Sequence, residues 1–113
     1  MKKYFLVLAL ALACSSESGE KPANLMTKEQ MVAFLIDTHE TEGRLQTIKI
    51  HRDSLELIFK QLEKELYLKH QIDSQQFLRS YHYYLDHVEE FGEIYDAVID
   101  SLSLREKTLN TGQ

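Results

Sequence analysis

Proline and glycine are scarce in this chain, and their scarcity constrains the fold more than any other feature. The single proline is Pro22, and beyond it glycine occurs only at Gly43, Gly92 and Gly112. Leucine, glutamate, lysine and glutamine, which all favour helices, fill much of the remaining sequence. With one cysteine no internal disulfide can form, so apolar packing must stabilise the fold. We therefore predict an all-α domain.

Helix boundaries are indicated by capping signals. Four polar residues are each followed three positions later by Glu or Gln, the spacing of a capping box: Thr27, Asp53, Asp73 and Asp86. They predict one helix from about residue 28 to Gly43 or just beyond, a second over about 54–70, and a tight corner before a third. Asp86 leaves two alternatives open, a separate fourth helix or one kinked helix.

Apolar residues recur every three or four positions within these segments, as in Met31, Phe34 and Leu35. Such stripes would close a small three- to four-helix bundle, which we place at residues 26–105. Residues 44–52 are interpreted as loop or frayed helix. Residues 106–113 lack apolar density, so we expect a frayed C-terminal tail.

The first 13 residues have the pattern of an export signal. Lys2 and Lys3 precede an apolar run from Tyr4 to Ala13. As a helix this run would cover roughly 15 Å, about half of a bilayer's hydrocarbon thickness, so it is too short to span a membrane. We predict a cleavable signal peptide over residues 1–13.

Cys14 follows directly, and Ala11-Leu12-Ala13-Cys14 resembles the bacterial lipobox. The resemblance implies that the Cys14 thiol takes a diacylglyceryl group, that the leader is cut before it, and that the new amine is acylated. The alternative is an ordinary secretory peptide with an incidental cysteine. Residues 14–25 are rich in Ser and polar residues without apolar periodicity, which predicts a disordered tether.

Charge and the residues after Cys14 bear on location. The chain has a formal charge of −5, and loss of the leader removes two lysines and no acid, so nucleic acid is not an expected partner. Under the sorting rule of enteric bacteria, Ser15 after the cysteine directs a lipoprotein to the outer membrane. Glu17 stands alone among serines, which leaves the periplasmic or surface face undecided.

A family resemblance rests on several short motifs in a fixed order. They are Met31-Val32, Leu35 through Glu42, Lys69 through Asp73, Phe77, Ser80, Tyr83-Tyr84 and Ile94 through Val98. Together they resemble the lipoproteins classed as domain of unknown function 4296. The resemblance implies a short helical domain on an envelope lipoprotein of Bacteroidota-type bacteria, without an assigned activity, catalytic residue or cofactor.

The first candidate site is a polar pair on the predicted first helix. His39 and Glu42 continue the stripe that Met31 begins, whereas Gly43 stands where a zinc-protease helix needs its second histidine. Polar groups facing a core need partners, and the natural donors are Arg79 and the hydroxyls of Tyr81 and Tyr84. We predict a structural polar network; exposure at the stripe edge and a ligand or catalytic site are the alternatives.

The second candidate is an aromatic and histidine cluster in the third helix. We favour packing of its tyrosines in the core and at its rim. The alternative is a contact surface for a partner or glycan, because tyrosine is favoured at interfaces; its members would be Tyr81, His82, Tyr83 and His87. A metal site from His82, Asp86 and Glu89 would require a continuous helix. We expect no metal and no cofactor.

Two functions remain open at this stage. The first is a lipid-tethered interaction module that docks on an unidentified envelope protein in an outer-membrane complex. The alternative is a small-molecule or metal-binding lipoprotein. No phosphate loop or nucleophile elbow is present in the sequence, so we expect no enzyme activity.

Overall fold

The computed structural model describes residues 21–111, which form four helices. They are α1 (Lys28–Gln46), α2 (Arg52–Lys69), α3 (Ser74–Leu85) and α4 (Val88–Thr111). No strand occurs in this range, and the predicted small all-α bundle is confirmed. The signal peptide, Cys14 and most of the tether lie outside the described residues, as do the last two residues of the tail, so the predictions about them remain predictions.

The capping signals define some helix starts and not others. Thr27 forms the expected box, because its hydroxyl accepts from the Gln30 backbone at 3.1 Å and Gln30 Oε1 accepts from the Thr27 N–H at 2.8 Å. Asp73 caps α3 by accepting from the Gln76 N–H at 2.7 Å. The cap predicted at Asp53 is wrong, since α2 begins at Arg52 after His51. An acid in the first helical turn is also favourable, so the sequence signal is ambiguous there.

The third and fourth helices are separate. Asp86 ends α3 instead of starting α4, and its N–H donates to the carbonyls of His82 and Tyr83. The His87 carbonyl accepts the first bond of α4, from Phe91 at 2.9 Å. At its far end α4 continues to Thr111, beyond residue 105, where we placed the end of the helical domain. The frayed tail predicted from residue 106 is therefore wrong as far as Thr111, because helix formers without glycine or proline sustain the helix there. The side chains of residues 106–110 are exposed.

Helix α1 lies at the centre of the bundle. It runs in the same direction as α4, because Lys28 pairs with Glu93 and Glu40 pairs with Arg105. It runs antiparallel to α2, whose C-terminal end contacts the middle of α1. The core takes more residues from α1 than from any other helix, and its buried apolar members are Met26, Met31, Phe34, Leu35, Ile36, Leu66, Tyr83, Tyr84, Ile94 and Val98.

The residue before α1 is locked to α3. Met26 is completely buried, its N–H donates to the Ser80 hydroxyl at 2.9 Å, and its carbonyl accepts from the Tyr84 hydroxyl at 2.6 Å. Burial, with Glu90 nearby, raises the pKa of Tyr84, so this hydroxyl stays protonated and can donate. This Met26 clamp fixes the point at which the N-terminal segment enters the bundle.

A tight corner joins α2 to α3, as predicted. The Ile72 N–H donates to the Tyr67 carbonyl at 3.0 Å and the Gln71 N–H donates to the Leu68 carbonyl at 3.2 Å, which is a Schellman motif. Gln71 takes the left-handed position with φ 56°, where glycine is usual. The corner turns the chain so that α3 packs on α4 and continues along α1 toward Met26.

Helix α3 leaves the N-terminal half of α2 uncovered. It runs along α1 from Phe77, beside Phe34, to Tyr84, at Met26, whereas α2 begins at the opposite end of α1. Along α2 only Leu66 is buried; Leu55 and Phe59 are half-buried, and Leu57 is 69% exposed. The N-terminal part of α2 therefore packs on α1 alone and leaves apolar surface open.

Candidate functional site

The predicted polar network is brought together only in part. His39 Nδ1 and Glu42 Oε2 are 3.6 Å apart, with side chains 40% and 45% exposed, so the pair lies at the edge of the apolar stripe. Tyr81, His39 and Glu42 line one cavity between the helices. Arg79 is exposed, and the Tyr84 hydroxyl is engaged by Met26. A network of all five residues does not form, because α3 turns Tyr84 toward Met26.

The predicted contact surface is also divided. Tyr83 is buried with its ring stacked on His87 at 4.0 Å, and His87 Nδ1 donates to the Tyr83 carbonyl at 2.7 Å. Tyr81 packs instead against Phe77 and Phe91, and His82 is exposed. Tyr81 and Tyr83 are two positions apart, so they point to nearly opposite sides of α3. The four residues therefore do not share one face.

A metal site formed by His82, Asp86 and Glu89 requires one continuous helix. The helix ends at Leu85 and the next begins at Val88, so His82 and Glu89 lie on different helices. Within residues 21–111, no group of three or more His, Cys, Asp or Glu side chains is arranged to hold a metal ion. In the same range, no helix combines the length and the apolar character needed to cross a bilayer.

A charged cluster that the sequence analysis missed joins α1 to α2. Asp37 Oδ2 is 2.8 Å from His70 Nε2 and 2.9 Å from Lys69 Nζ, and the Asp37 and His70 side chains are only 18% and 16% exposed. Partial burial acts to raise the pKa of Asp37, but the hydrogen bonds and charges of Lys69 and His70 outweigh it and hold that pKa below its usual value. The cluster fixes the C-terminal end of α2 on α1.

The main concave feature of the α2 side is a cleft made of two adjoining cavities. The first has a volume of about 360 Å³ and is walled by aromatic residues of all four helices. Its lining comprises Phe34, Leu35, Thr38, His39, Glu42, Phe59, Glu63, Leu66, Tyr67, Phe77, Leu78, Tyr81 and Tyr95. The aromatic rings contact one another, with Phe34 and Phe77 centroids 4.7 Å apart and Phe77 and Tyr81 centroids 5.8 Å apart.

The second cavity, of about 340 Å³, continues between the C-terminal end of α1 and the N-terminal half of α2. Its lining comprises Glu42, Leu45, Gln46, Leu55, Glu56, Phe59 and Lys60. Glu42 and Phe59 border both cavities, so the two form one surface, which we call the α1–α2 cleft. No residue of α3 lines this second part, because α3 runs toward Met26, at the opposite end of α1.

The first cavity has a negative electrostatic environment. Among residues 21–111, Glu42 and Glu63 are the only carboxylates that line it, and neither Lys nor Arg does. Burial, with Tyr81 and Glu42 nearby, raises the pKa of Tyr95 to about 12. Burial and the charge of Glu63 likewise raise the pKa of Tyr67. Both tyrosines are therefore neutral at physiological pH and present protonated hydroxyls close to the carboxylates.

A larger groove of about 680 Å³ lies between α1 and α4, on an apolar floor that includes Val32 and Ile94. Its rim differs from that of the cleft because its charges are largely paired. Lys28 bonds Glu93 at 2.8 Å, and Lys69 is engaged by Asp37. In the α1–α2 cleft, by contrast, Glu63 forms no ion pair with any residue of the range 21–111. The cleft is thus the better candidate for recognising a charged partner.

Comparison with known proteins places the chain in a family. No curated protein and no solved structure is significantly similar to it. A family model matches residues 22–108, which include all four helices except the last residues of α4, and confirms the resemblance seen in the sequence. Because the match covers most of its length, the chain belongs to the family described as Domain of unknown function (DUF4296).

Proposed function

We propose that this protein is a lipoprotein of the outer membrane, anchored through Cys14, whose helical domain binds another envelope protein through the α1–α2 cleft. The observation that carries the proposal is the apolar surface that α3 leaves open along α2. In a small domain such surface is costly to expose unless another molecule covers it.

The cleft has the size and composition of a protein-binding groove. From Tyr67 to Leu55 it follows α2 for 12 residues, or about 18 Å, which accommodates three turns of a partner helix. Aromatic residues wall its first part, and aromatic side chains are enriched where proteins meet. Apolar side chains are also exposed in the loop before α2, where Ile48 and Ile50 are each 44% exposed.

The remainder of the proposal comes from the sequence. The basic and apolar leader and the lipobox-like segment before Cys14 supply the membrane address. The short tether would keep the domain close above the lipid surface while leaving it free to rotate. We propose a binding role without catalysis, since the described residues that line the cleft include no nucleophile paired with a base.

The proposal can be tested by photocrosslinking in intact cells. A photoreactive phenylalanine derivative at Phe59 replaces an aromatic ring that borders both cavities. The matched control is the same derivative at Lys64, which is exposed on α2 and borders neither cavity. We expect a discrete crosslinked product from position 59 and none from position 64. Absence of a product at position 59, or equal products at both positions, would contradict the proposal.

A further inference from the structure

We infer that the element bound in the α1–α2 cleft is a basic amphipathic segment of the partner protein, with a Lys or Arg side chain between Glu42 and Glu63. This inference rests on the proposed function and names the chemistry of its partner. It follows from the charge, the aromatic walls and the length of the cleft.

The carboxylates of the first cavity favour a positively charged ligand. Glu42 and Glu63 reach the first cavity from α1 and α2, and no Lys or Arg of the described part of the chain lines that cavity to offset them. His39 is the nearest basic group to Glu42, at 3.6 Å, and Glu63 has no ion-pair partner within residues 21–111. A carboxylate or phosphate of a partner would be repelled at this position, whereas an ammonium or guanidinium group would be attracted.

The aromatic walls suit the same ligand. The aromatic rings of Tyr67, Tyr81 and Tyr95 line the cavity. A Lys or Arg side chain has an apolar stem and a charged end, so the rings can pack against the stem and bind the charge by cation–π contact. The volume of about 360 Å³ has room for one such side chain and part of its backbone.

The second cavity suits an apolar side chain of the same segment. Leu45, Leu55 and Phe59 line it, and its charges, Glu56 and Lys60, are of opposite sign. Glu63 and Leu55 are eight residues apart on α2, or about 12 Å along its axis. A helix lying in the cleft would therefore place its cation and its apolar anchor about two turns apart on one face.

The test uses the crosslinker at Phe59 in the full chain in cells. The double variant Glu42→Gln/Glu63→Gln keeps side-chain shape and removes both charges. The control, Glu89→Gln/Glu106→Gln, makes the same charge change at exposed positions outside the cleft. We expect a roughly tenfold lower yield for the first pair and an unchanged yield for the second. Thermal melts of both variants establish that each remains folded.

Mass spectrometry of the crosslinked peptide identifies the occupant. The inference predicts a segment carrying Lys or Arg about two helical turns from a large apolar residue. Changing that Lys or Arg to Glu should abolish crosslinking, and Glu42→Lys should restore it in part. An acidic segment, a second copy of this chain, or a yield insensitive to Glu42→Gln/Glu63→Gln would overturn the inference while leaving the proposed function in place. No crosslink at position 59 would overturn both.

Discussion

Removing the Tyr84 hydroxyl should destabilise the domain, because that group holds the residue at which the N-terminal segment enters the bundle. The hydroxyl donates to the Met26 carbonyl at 2.6 Å, and Tyr84 is only 2% exposed. In Tyr84→Phe the ring still fills its place, so packing is retained. The Met26 carbonyl, however, loses its side-chain donor at a position that water cannot reach.

The size of the effect follows from this geometry. A buried polar group left without a partner costs about 1–3 kcal/mol. For a domain of this size each kcal/mol lowers Tm by about 4–8 °C, so the melting temperature should fall by at least about 4 °C. Ser80→Ala should have a similar effect, since Ser80 is completely buried and accepts from the Met26 N–H at 2.9 Å.

Thermal unfolding followed by circular dichroism measures the change, and Tyr83→Phe is the matched control. Tyr83 is next to Tyr84 and is also buried, but its hydroxyl forms no hydrogen bond to any other residue of the described range. Its loss should change stability by less than about 0.5 kcal/mol. If Tyr84→Phe and Tyr83→Phe melt at the same temperature, the Met26 clamp does not stabilise the fold and this reasoning is wrong.

Four further changes test other parts of the fold by denaturant or thermal unfolding. Because the pKa of Asp37 lies below its ordinary value of 3.8 in the folded chain, its contribution is present above about pH 4 and lost as the pH falls through the folded pKa. Asp37→Asn should therefore reduce the loss of stability at acid pH and lower the free energy of unfolding at pH 7 by about 1–3 kcal/mol. If stability falls with acid pH as in the unchanged protein, the Asp37 cluster does not stabilise the fold. Thr27→Ala removes the α1 cap and should cost about 1 kcal/mol, whereas Thr27→Ser should cost little. Gln71→Gly should stabilise by roughly 1 kcal/mol, since Gln71 has a φ of 56°; a loss would mean that its side chain matters more than its backbone. Gly92→Ala should stabilise by about 0.5–1 kcal/mol, because an added Cβ in α4 meets nothing within 4 Å.

The sequence predicted features that depend on near neighbours in the chain. The Thr27 box and the Asp73 cap each join residues three positions apart, so their spacing is visible without a structure. The Asp53 signal failed because an acid is favourable both before a helix and within its first turn. Local signals thus located the helices to within a few residues but did not resolve every start.

Contacts between distant residues could not be predicted in this way. The Met26 clamp joins residues 54 and 58 positions apart, and the Asp37 cluster joins residues 33 positions apart. Such pairs depend on how α1 lies against α2 and α3, and no periodicity in one helix encodes that arrangement. For the same reason the predicted network wrongly assigned the Tyr84 hydroxyl to His39 and Glu42.

The α1–α2 cleft had no signal in the sequence. Which part of α2 lacks cover depends on the direction that α3 takes after the corner at Asp73, and α3 runs toward Met26. Which side chains line the cleft, and that none of the Lys and Arg residues between 21 and 111 lines its first cavity, emerge only when four helices are packed together.

Every functional proposal depends on the protein being held at a membrane, and the mass of the mature protein tests this most directly. Intact-protein and peptide mass spectrometry on separated membrane and culture-fluid fractions would establish the state of residue 14. The account predicts a membrane-bound chain that begins at Cys14 and carries a diacylglyceryl group on its thiol and an acyl group on its amine. A chain recovered from the culture fluid with a free Cys14 thiol would contradict it.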